Sequence, residues 1–228
     1  MSENFVIVLD HPLAQAILTT LRDKNTDQIT FRKGLVKLGR IMGIEITKYM
    51  DKEKIYVETP LGVKAEGIKI VDMDNVVIVT ILRAAMPFVE GLIKIFPMAR
   101  QGVVSARRVE EIGMQKDYVF PIDIFYVKLP KIKQNDTVII ADPMIATGST
   151  MINVIRNISL ETILPKRIFI AGVISTNIAI NRIKAELAAK GLLSRSKLFT
   201  VSIDPEINDK GYIVPGLGDA GDRAFGHE

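Results

Sequence analysis

One segment, residues 137–150 (TVIIADPMIATGST), constrains the fold of this chain more than any other. It opens with apolar and β-branched residues, which are typical of a strand buried on both faces. A turn that contains Gly148 follows, and the next residues, MINVIRNI, have helical character. In such an arrangement, a strand leads through a Gly/Thr turn into a helix. Free main-chain N–H groups and the positive end of the helix dipole then point to one place. The segment therefore predicts a phosphate site.

The polar residues of the same segment favour a phosphorylated sugar as the ligand. The hydroxyls of Thr147, Ser149 and Thr150 add donors for a phosphate, whereas Asp142 is suited to accept hydrogen bonds from two vicinal sugar hydroxyls. This order of groups predicts a ribose 5-phosphate. The segment lacks the Lys of a Walker loop and the spaced glycines of a dinucleotide-binding turn. An ordinary turn between strand and helix, with a Ser/Thr cap, is the simpler alternative.

Composition restricts the class of protein. The chain has 228 residues, 48% of them hydrophobic, which is enough for one domain with a sizeable core. No apolar stretch reaches the roughly 18 residues that indicate a membrane span. The absence of cysteine excludes disulfides and fits a cytoplasmic protein. The net charge of +4 permits a small anionic ligand or a nucleic-acid surface, and the scattered basic residues favour the small anion.

The order of strand and helix patterns predicts an α/β fold with a mostly parallel sheet flanked by helices. We expect residues 198–203 to form the strand that closes the sheet, and residues 112–121 to form a mobile excursion. The chain is interpreted as a single domain, residues 1–228. Its three parts are N-terminal helices and a hairpin in residues 1–70, a core in residues 71–205, and a tail in residues 206–228.

Two groups of basic residues stand out. Arg83 ends the predicted strand 76–82, and it shares a rim of the sheet with Asp142 if both strands belong to one parallel sheet, because ligands of open α/β sheets gather at that rim. The second group lies on a predicted helix, largely off its apolar stripe. That group is interpreted as a solvated face, an anion site or a subunit contact, and consists of Arg32, Lys33, Lys37 and Arg40.

The tail is rich in glycine. Residues 211–226 (GYIVPGLGDAGDRAFG) are neither helix nor strand by composition, so they predict either a flexible end or a loop folded over a planar ligand. Glycines let main-chain groups approach a ligand closely. Uracil presents acceptor, donor and acceptor along one edge, and a fixed run of main-chain groups can read that pattern.

Three segments, the tail PGLGDAGDRAFG, the loop DPMIATGST and the strand end ILRAAMP, together resemble the uracil phosphoribosyltransferase family. The likeness covers most of the chain and is closest to archaeal-type members. It implies a type I phosphoribosyltransferase fold with a C-terminal uracil-binding hood. It also implies the conversion of uracil and 5-phosphoribosyl 1-diphosphate (PRPP) to UMP and diphosphate in pyrimidine salvage.

The resemblance implies roles for individual residues. Arg83, Arg108 and Asp219 would be catalytic, with Arg107 as a competing assignment for Arg108. Main-chain groups of Ile213, Gly218, Asp219 and Ala220 would contact uracil. The PRPP-binding residues would be Arg83, Arg108, Asp142, Pro143, Met144, Ile145, Ala146, Thr147, Gly148, Ser149, Thr150 and Asp219.

The resemblance also implies a cofactor and regulation. Mg²⁺ is expected on PRPP without a direct protein ligand, with Asp219 contacting it through water. GTP as activator and CTP as inhibitor are expected at Arg32, Lys33, Lys37 and Arg40. A homo-oligomer, dimer or tetramer, is expected, with no nucleic-acid or membrane partner. No general base is assigned.

Two other functions stay open at this point. One is a UMP-sensing, RNA-binding regulator on the same fold, which the lack of interleaved aromatic and basic residues disfavours. The other is a phosphoribosyltransferase for another base, such as orotate or a purine. Orotate needs a cation for its carboxylate, and Arg223 is the only Lys or Arg in residues 211–226.

Overall fold

The computed structural model describes residues 4–109, 111–159 and 163–226, except for the side chain of Arg108. None of the helices in these ranges is long and apolar enough to cross a membrane. The helices are α1 (Pro12–Arg22), α2 (Gln28–Thr47), α3 (Ala85–Ile95), α4 (Ser149–Ser159), α5 (Asn177–Ala189) and α6 (Ala220–Phe225). The strands are β1 (Val6–Val8), β2 (Lys52–Glu58), β3 (Lys64–Ile70), β4 (Val76–Leu82), β5 (Arg100–Arg108), β6 (Ile122–Lys128), β7 (Thr137–Ala141), β8 (Met144–Ile145), β9 (Arg167–Ala171), β10 (Ile174–Thr176), β11 (Ser196–Thr200), β12 (Ser202–Asp204), β13 (Glu206–Ile207) and β14 (Ile213–Val214).

Seven of these strands form the main sheet, in the order β1-β11-β9-β7-β4-β5-β6. All neighbours are parallel except β5 and β6, which confirms the predicted mostly parallel sheet. The expectation that residues 198–203 close the sheet is wrong, because β1 pairs with β11 on its outer side, with Val6 opposite Leu198. By this pairing β1 satisfies the N–H and C=O groups on the outer edge of β11, which would otherwise lack partners.

Apolar residues pack on both faces of the sheet, as the near-continuous hydrophobic strands predict. In β4, Val76 and Ile78 face the layer that holds α1, α2 and α3, whereas Val77 and Val79 face the layer that holds α4 and α5. This alternation follows from the two-residue period of a strand. The C-terminal ends of the parallel strands therefore emerge between two helical layers.

Three central strands are interrupted at those ends and continue as a second, smaller sheet. After short breaks, β7, β9 and β11 are followed by β8, β10 and β12, which pair in parallel in the order β12-β10-β8. Gly172 lies at one break, where an added Cβ would come within 2.7 Å of the Ile145 side chain. The second sheet holds the loop after Asp142 against the neighbouring strand.

The tail differs from its prediction, since it contains both a strand and a helix. β14 pairs with β13 in an antiparallel ladder, and Asp219 caps the N-terminus of the short helix α6, where its side chain accepts a hydrogen bond from the N–H of Asp222 at 2.9 Å. Ala224 is buried, and Phe225 packs against the core beside it. A side-chain cap and apolar packing outweigh the low helix propensity of the glycines here.

Candidate active site

A cleft of about 740 Å³, which we call the central cleft, opens at the C-terminal ends of β4, β5 and β7. Four parts of the chain line it. They are residues 81–84, residues 105–107 with Phe125, the loop that includes Asp142 and residues 144–151, and the tail through Tyr212 and residues 219–222. Segments far apart in sequence thus meet at the rim that parallel topology predicts for ligands.

Most of the predicted site residues converge on this cleft. The tip of β4 contributes Arg83, and the tail contributes Asp219 and Ala220. Of the predicted residues that the structure describes in full, Pro143, Ile213 and Gly218 are not among those that line it. The residues of the predicted phosphate site that line it are Asp142, Met144, Ile145, Ala146, Thr147, Gly148, Ser149 and Thr150.

The loop before α4 has the geometry of an anion site. Gly148 has a φ of 77°, a left-handed conformation that favours glycine, and it turns the chain into the first turn of the helix. The hydroxyls of Thr147 and Ser149 lie 3.1 Å apart, and the N–H of Ser149 donates to Thr147 Oγ1 at 3.3 Å. Asp142 accepts from the N–H of Met144 at 3.1 Å, which orients its carboxylate at the start of the loop.

Arg83 and the tail meet across the cleft. The Arg83 guanidinium pairs with the carboxylate of Asp222, with Nη2 and Oδ1 3.2 Å apart. The peptide bond between Leu82 and Arg83 is cis. Asp222 and Tyr212 line the cleft, although the sequence pattern did not assign them a role. The tail therefore forms one wall of the site.

Of the two adjacent arginines at the end of β5, the side chain of Arg107 lines the cleft. Its guanidinium carbon lies 5.4 Å from the ring centroid of Phe125 on the antiparallel strand β6, at cation–π distance. The side chain of Arg108 lies outside the described residues. The assignment between the two arginines therefore stays open.

An ion pair between the buried carboxylate of Asp204 and the partly exposed guanidinium of Arg22, absent from the sequence prediction, holds the tail in place. Both carboxylate oxygens of Asp204 accept from Arg22, at 2.6 and 2.7 Å, and Asp204 also accepts from the N–H of Gly216 at 2.9 Å. Arg22 in turn donates to the carbonyl of Gly216 at 2.7 Å. Burial alone would raise the pKa of Asp204, but these hydrogen bonds and that from Ser202 hold the pKa below its usual value. In sequence, Arg22 and Asp204 are too far apart to signal this contact.

The described part of the cleft offers some oxygen ligands for a cation. Within the described ranges, no group of three His, Cys, Asp or Glu side chains is arranged for a metal ion. The cleft does present the carboxylates of Asp142, Asp219 and Asp222. This donor set fits Mg²⁺, which is usually held by one or two carboxylates together with water and substrate phosphates.

A second cavity of about 560 Å³, which we call the basic pocket, lies among α2, α3 and α6. All four basic residues singled out on α2 line it, together with Glu90 and apolar side chains that include Phe225. Arg32 also donates to the carbonyl of Ala224, at 3.4 Å. The four basic residues are Arg32, Lys33, Lys37 and Arg40.

Comparisons with known proteins agree with this geometry. A family model described as uracil phosphoribosyltransferase matches residues 8–227. A curated uracil phosphoribosyltransferase of Sulfolobus acidocaldarius is 53% identical over 96% of this chain and 98% of its own length. One from Thermococcus gammatolerans is 54% identical over 95% and 91%. Among solved structures, the AQ2163 protein of Aquifex aeolicus has a TM-score of 0.82 at 31% identity, covering 97% of this chain and 98% of its own. An adenine phosphoribosyltransferase of Trypanosoma brucei shares the fold, with a TM-score of 0.52 at 12% identity over 87% and 83% of the two chains.

Proposed function

The chain belongs to the uracil phosphoribosyltransferase family, whose reaction converts uracil and PRPP to UMP and diphosphate, and we propose that the central cleft is the active site for this transfer. The observation that carries the proposal is the meeting of the 146–150 loop, Arg83 and the tail at one cleft. The loop suits the 5-phosphate of PRPP, Arg83 suits its diphosphate, and the tail suits the base.

PRPP is proposed to bind with its 5-phosphate in the loop of residues 146–150. Main-chain N–H groups and hydroxyls there can donate to phosphate oxygens, and the start of α4 adds a favourable dipole. Asp142 is proposed to accept hydrogen bonds from the ribose hydroxyls. Met144 and Ile145 form the short strand β8 that holds the loop on β10, while Pro143 and its neighbours complete the PRPP-binding segment.

Arg83 is proposed to contact the diphosphate, together with Arg108 or Arg107. As the bond between C1 of the ribose and the diphosphate oxygen breaks, negative charge builds on the leaving group and positive charge on the sugar. Guanidinium groups that are already in place stabilise the departing charge. Bound Mg²⁺ would supply additional charge neutralisation on the diphosphate, and Asp219 is proposed to orient it through water.

The base is proposed to lie against the tail, with main-chain groups of Ile213, Gly218, Asp219 and Ala220 reading one edge of uracil. The Arg22–Asp204 pair supports this role, because it binds the main-chain N–H and carbonyl of Gly216, which lies between Ile213 and Gly218 in the chain. Arg223 donates to the carbonyls of Leu217, Leu21 and Asp23, so its guanidinium is engaged away from the cleft. This arrangement favours uracil over orotate. We assign no general base.

Release of diphosphate from PRPP and Mg²⁺ tests the proposal, with uracil, cytosine, orotate and hypoxanthine offered separately. Turnover with uracil alone, lost in Asp219→Ala, is the expected result. Turnover with another base would keep the PRPP site and overturn our interpretation of the tail. Binding of UMP without turnover would favour the alternative, an RNA-binding regulator that senses UMP, and binding of pyrimidine-operon leader RNA would test that function.

Regulation at the basic pocket is a second proposal. Four cationic side chains around an apolar cavity suit a nucleotide, whose phosphates need cations and whose base needs apolar contacts. We propose GTP as activator and CTP as inhibitor, acting through α3 and α6, which lead from this pocket to Arg83 and Asp222. Rates of UMP formation that are unchanged by GTP and CTP in the wild type would contradict this proposal. Loss of the response in Lys33→Ala would support it.

The assembly and the division of the chain are also proposed. Tyr56, Val57 and Ile68 are exposed apolar residues on the β2–β3 hairpin, which suits a contact between copies in a homo-oligomer, a dimer or a tetramer. Residues 1–70 would supply this contact, residues 71–205 the PRPP-binding core, and residues 206–228 the uracil-binding tail. The cytoplasm as the location of the reaction stays a prediction.

A further inference from the structure

The hydroxyl of Ser149 is surrounded by donors. The main-chain N–H of Phe120 donates to Ser149 Oγ at 3.1 Å, and Nη1 of Arg182 donates to the same oxygen at 3.2 Å. Ser149 is buried, with 5% of its surface exposed, but it still lines the central cleft. Both donors come from outside the loop, since Phe120 precedes β6 and Arg182 lies on α5.

These two contacts decide what Ser149 can do chemically. A serine hydroxyl has one hydrogen and two acceptor lone pairs. Because donors approach both lone pairs, the hydrogen of Ser149 is the part of the hydroxyl that is left for a further partner. Thr147 Oγ1 also donates to Ser149 Oγ, at 3.1 Å, so the Ser149 hydrogen is left for an acceptor in the cleft. A hydroxyl restricted to donation is suited to an anion, which accepts hydrogen bonds and donates none.

Arg182 connects three separate parts of this region. Besides Ser149, its Nη1 donates to the main-chain carbonyl of Thr147 and to that of Tyr118, the latter at 2.7 Å. The loop also lies directly on α5, where a Cβ added to Gly148 would come within 3.3 Å of the carbonyl of Ala179. Burial lowers the pKa of Arg182, and Arg156 acts in the same direction, but a guanidinium stays charged at neutral pH.

We propose that Arg182 is a positioning residue for the 5-phosphate of PRPP. It presents Ser149 as an obligate donor, holds the Thr147 carbonyl away from the anion, and places a positive charge behind the loop. Through Tyr118 it also couples the loop to residues 118–120. By linkage, an anion bound in the loop stabilises the docked position of those residues, and their docking strengthens anion binding. The inference rests on the proposed function in taking a 5-phosphate as the ligand of the loop.

Binding of ribose 5-phosphate, measured by calorimetry, tests the proposal without any transfer reaction. Arg182→Gln should raise the Kd by roughly ten- to a hundredfold, the range for losing hydrogen bonds from a charged group. Arg182→Lys should recover part of the affinity. An ammonium group keeps the positive charge and one donor nitrogen, but it lacks the planar set of several N–H donors that a guanidinium has. Arg195→Gln is the matched control, since Arg195 also donates to a main-chain carbonyl, that of Pro165 at 2.9 Å, at a site outside the lining of the central cleft. This control should bind like the wild type.

Steady-state kinetics and hydrogen exchange distinguish positioning from a general loss of stability. In Arg182→Gln, KM for PRPP should rise while KM for uracil stays within about twofold, whereas a merely structural role would affect both substrates. Ribose 5-phosphate should slow amide exchange at Phe120 in the wild type and not in the variant.

Three results would overturn the inference: unchanged Kd in Arg182→Gln, an equal rise in both KM values, or a wild type that does not bind ribose 5-phosphate. Binding of ribose 5-phosphate by a wild type that never consumes uracil would overturn the proposed function alone, and the effect of Arg182→Gln on the Kd would still decide the role of Arg182.

Discussion

The guanidinium of Arg83 and the carboxylate of Asp222 lie 3.2 Å apart, from Nη2 to Oδ1, and this contact joins the tip of β4 to α6. The two residues are 139 positions apart in the chain. The group proposed to contact diphosphate is thus oriented by the segment proposed to bind the base. A change in the tail is therefore expected to reach the diphosphate side of the site.

Asp222→Ala should lower kcat/KM for PRPP by about fivefold, because the loss of a partly exposed ion pair costs up to about 1 kcal/mol. Asp222→Asn should have a smaller effect, since the amide oxygen can still accept from Arg83. Asp209→Asn, an exposed residue of the tail, is the control. Tighter PRPP binding in Asp222→Asn would contradict the orienting role and would make the carboxylate a competitor of diphosphate.

Arg107→Ala should raise KM for PRPP about tenfold, because its guanidinium lines the central cleft and a hydrogen bond from a charged group is lost. The same measurement on Arg108→Ala decides the competing assignment. A loss in Arg108→Ala alone would give the diphosphate contact to Arg108 and leave Arg107 as a partner of Phe125. Similar losses in both variants would assign both arginines to PRPP.

Asp204→Asn should raise KM for uracil about tenfold with a smaller change in KM for PRPP. The substitution weakens the hydrogen bond with Gly216, which lies between the main-chain groups proposed to contact the base. Glu206→Gln, an exposed position on β13, should leave both constants unchanged. Thermal unfolding must show Asp204→Asn folded at the assay temperature, because weakening hydrogen bonds to a buried charged group can cost about 1.5–3 kcal/mol. An equal rise in both KM values would contradict a role specific to the base.

The stability that Asp204 contributes should disappear in acid. Its pKa in the folded protein is lower than in the unfolded chain, so protons bind the unfolded state more readily. The contribution is complete above the ordinary Asp pKa of about 4 and is lost as the pH falls toward the lower folded value. The difference in urea midpoint between wild type and Asp204→Asn should therefore shrink between about pH 5 and pH 3. A difference that is constant over this range would show that the carboxylate charge does not contribute.

Gly39→Ala should destabilise the protein by at least about 1–3 kcal/mol, the usual cost of overpacking. Gly39 on α2 faces Gly91 on α3, and a Cβ at Gly39 would overlap the carbonyl oxygen of Phe88. Gly67→Ala is the matched control, because the nearest atom to its added Cβ, on Ile55, is 3.8 Å away. Urea unfolding of both variants checks this, and equal midpoints would contradict the close helix packing.

The sequence by itself determined the features that depend on local order. The apolar run, turn and helix start of residues 137–150 predicted the strand and loop that line the cleft, because hydrophobic period and turn chemistry act over neighbouring residues. The parallel sheet followed from the alternation of strands and helices. The position of Arg83 at a strand end, on the same rim as Asp142, followed from that topology.

Only the tertiary structure decided the features that join distant residues. No hydrophobic period in the sequence indicates these contacts, since each depends on which surfaces meet after packing. They are the pairing of β1 with β11, the hydrogen bonds of Arg22 and Asp204 with Gly216, and the contacts of Arg182 with Ser149. The helix α6 was missed for the same reason. Its glycine-rich sequence has a weak intrinsic preference for helix, and the cap at Asp219 and burial against α2 stabilise it in the folded protein.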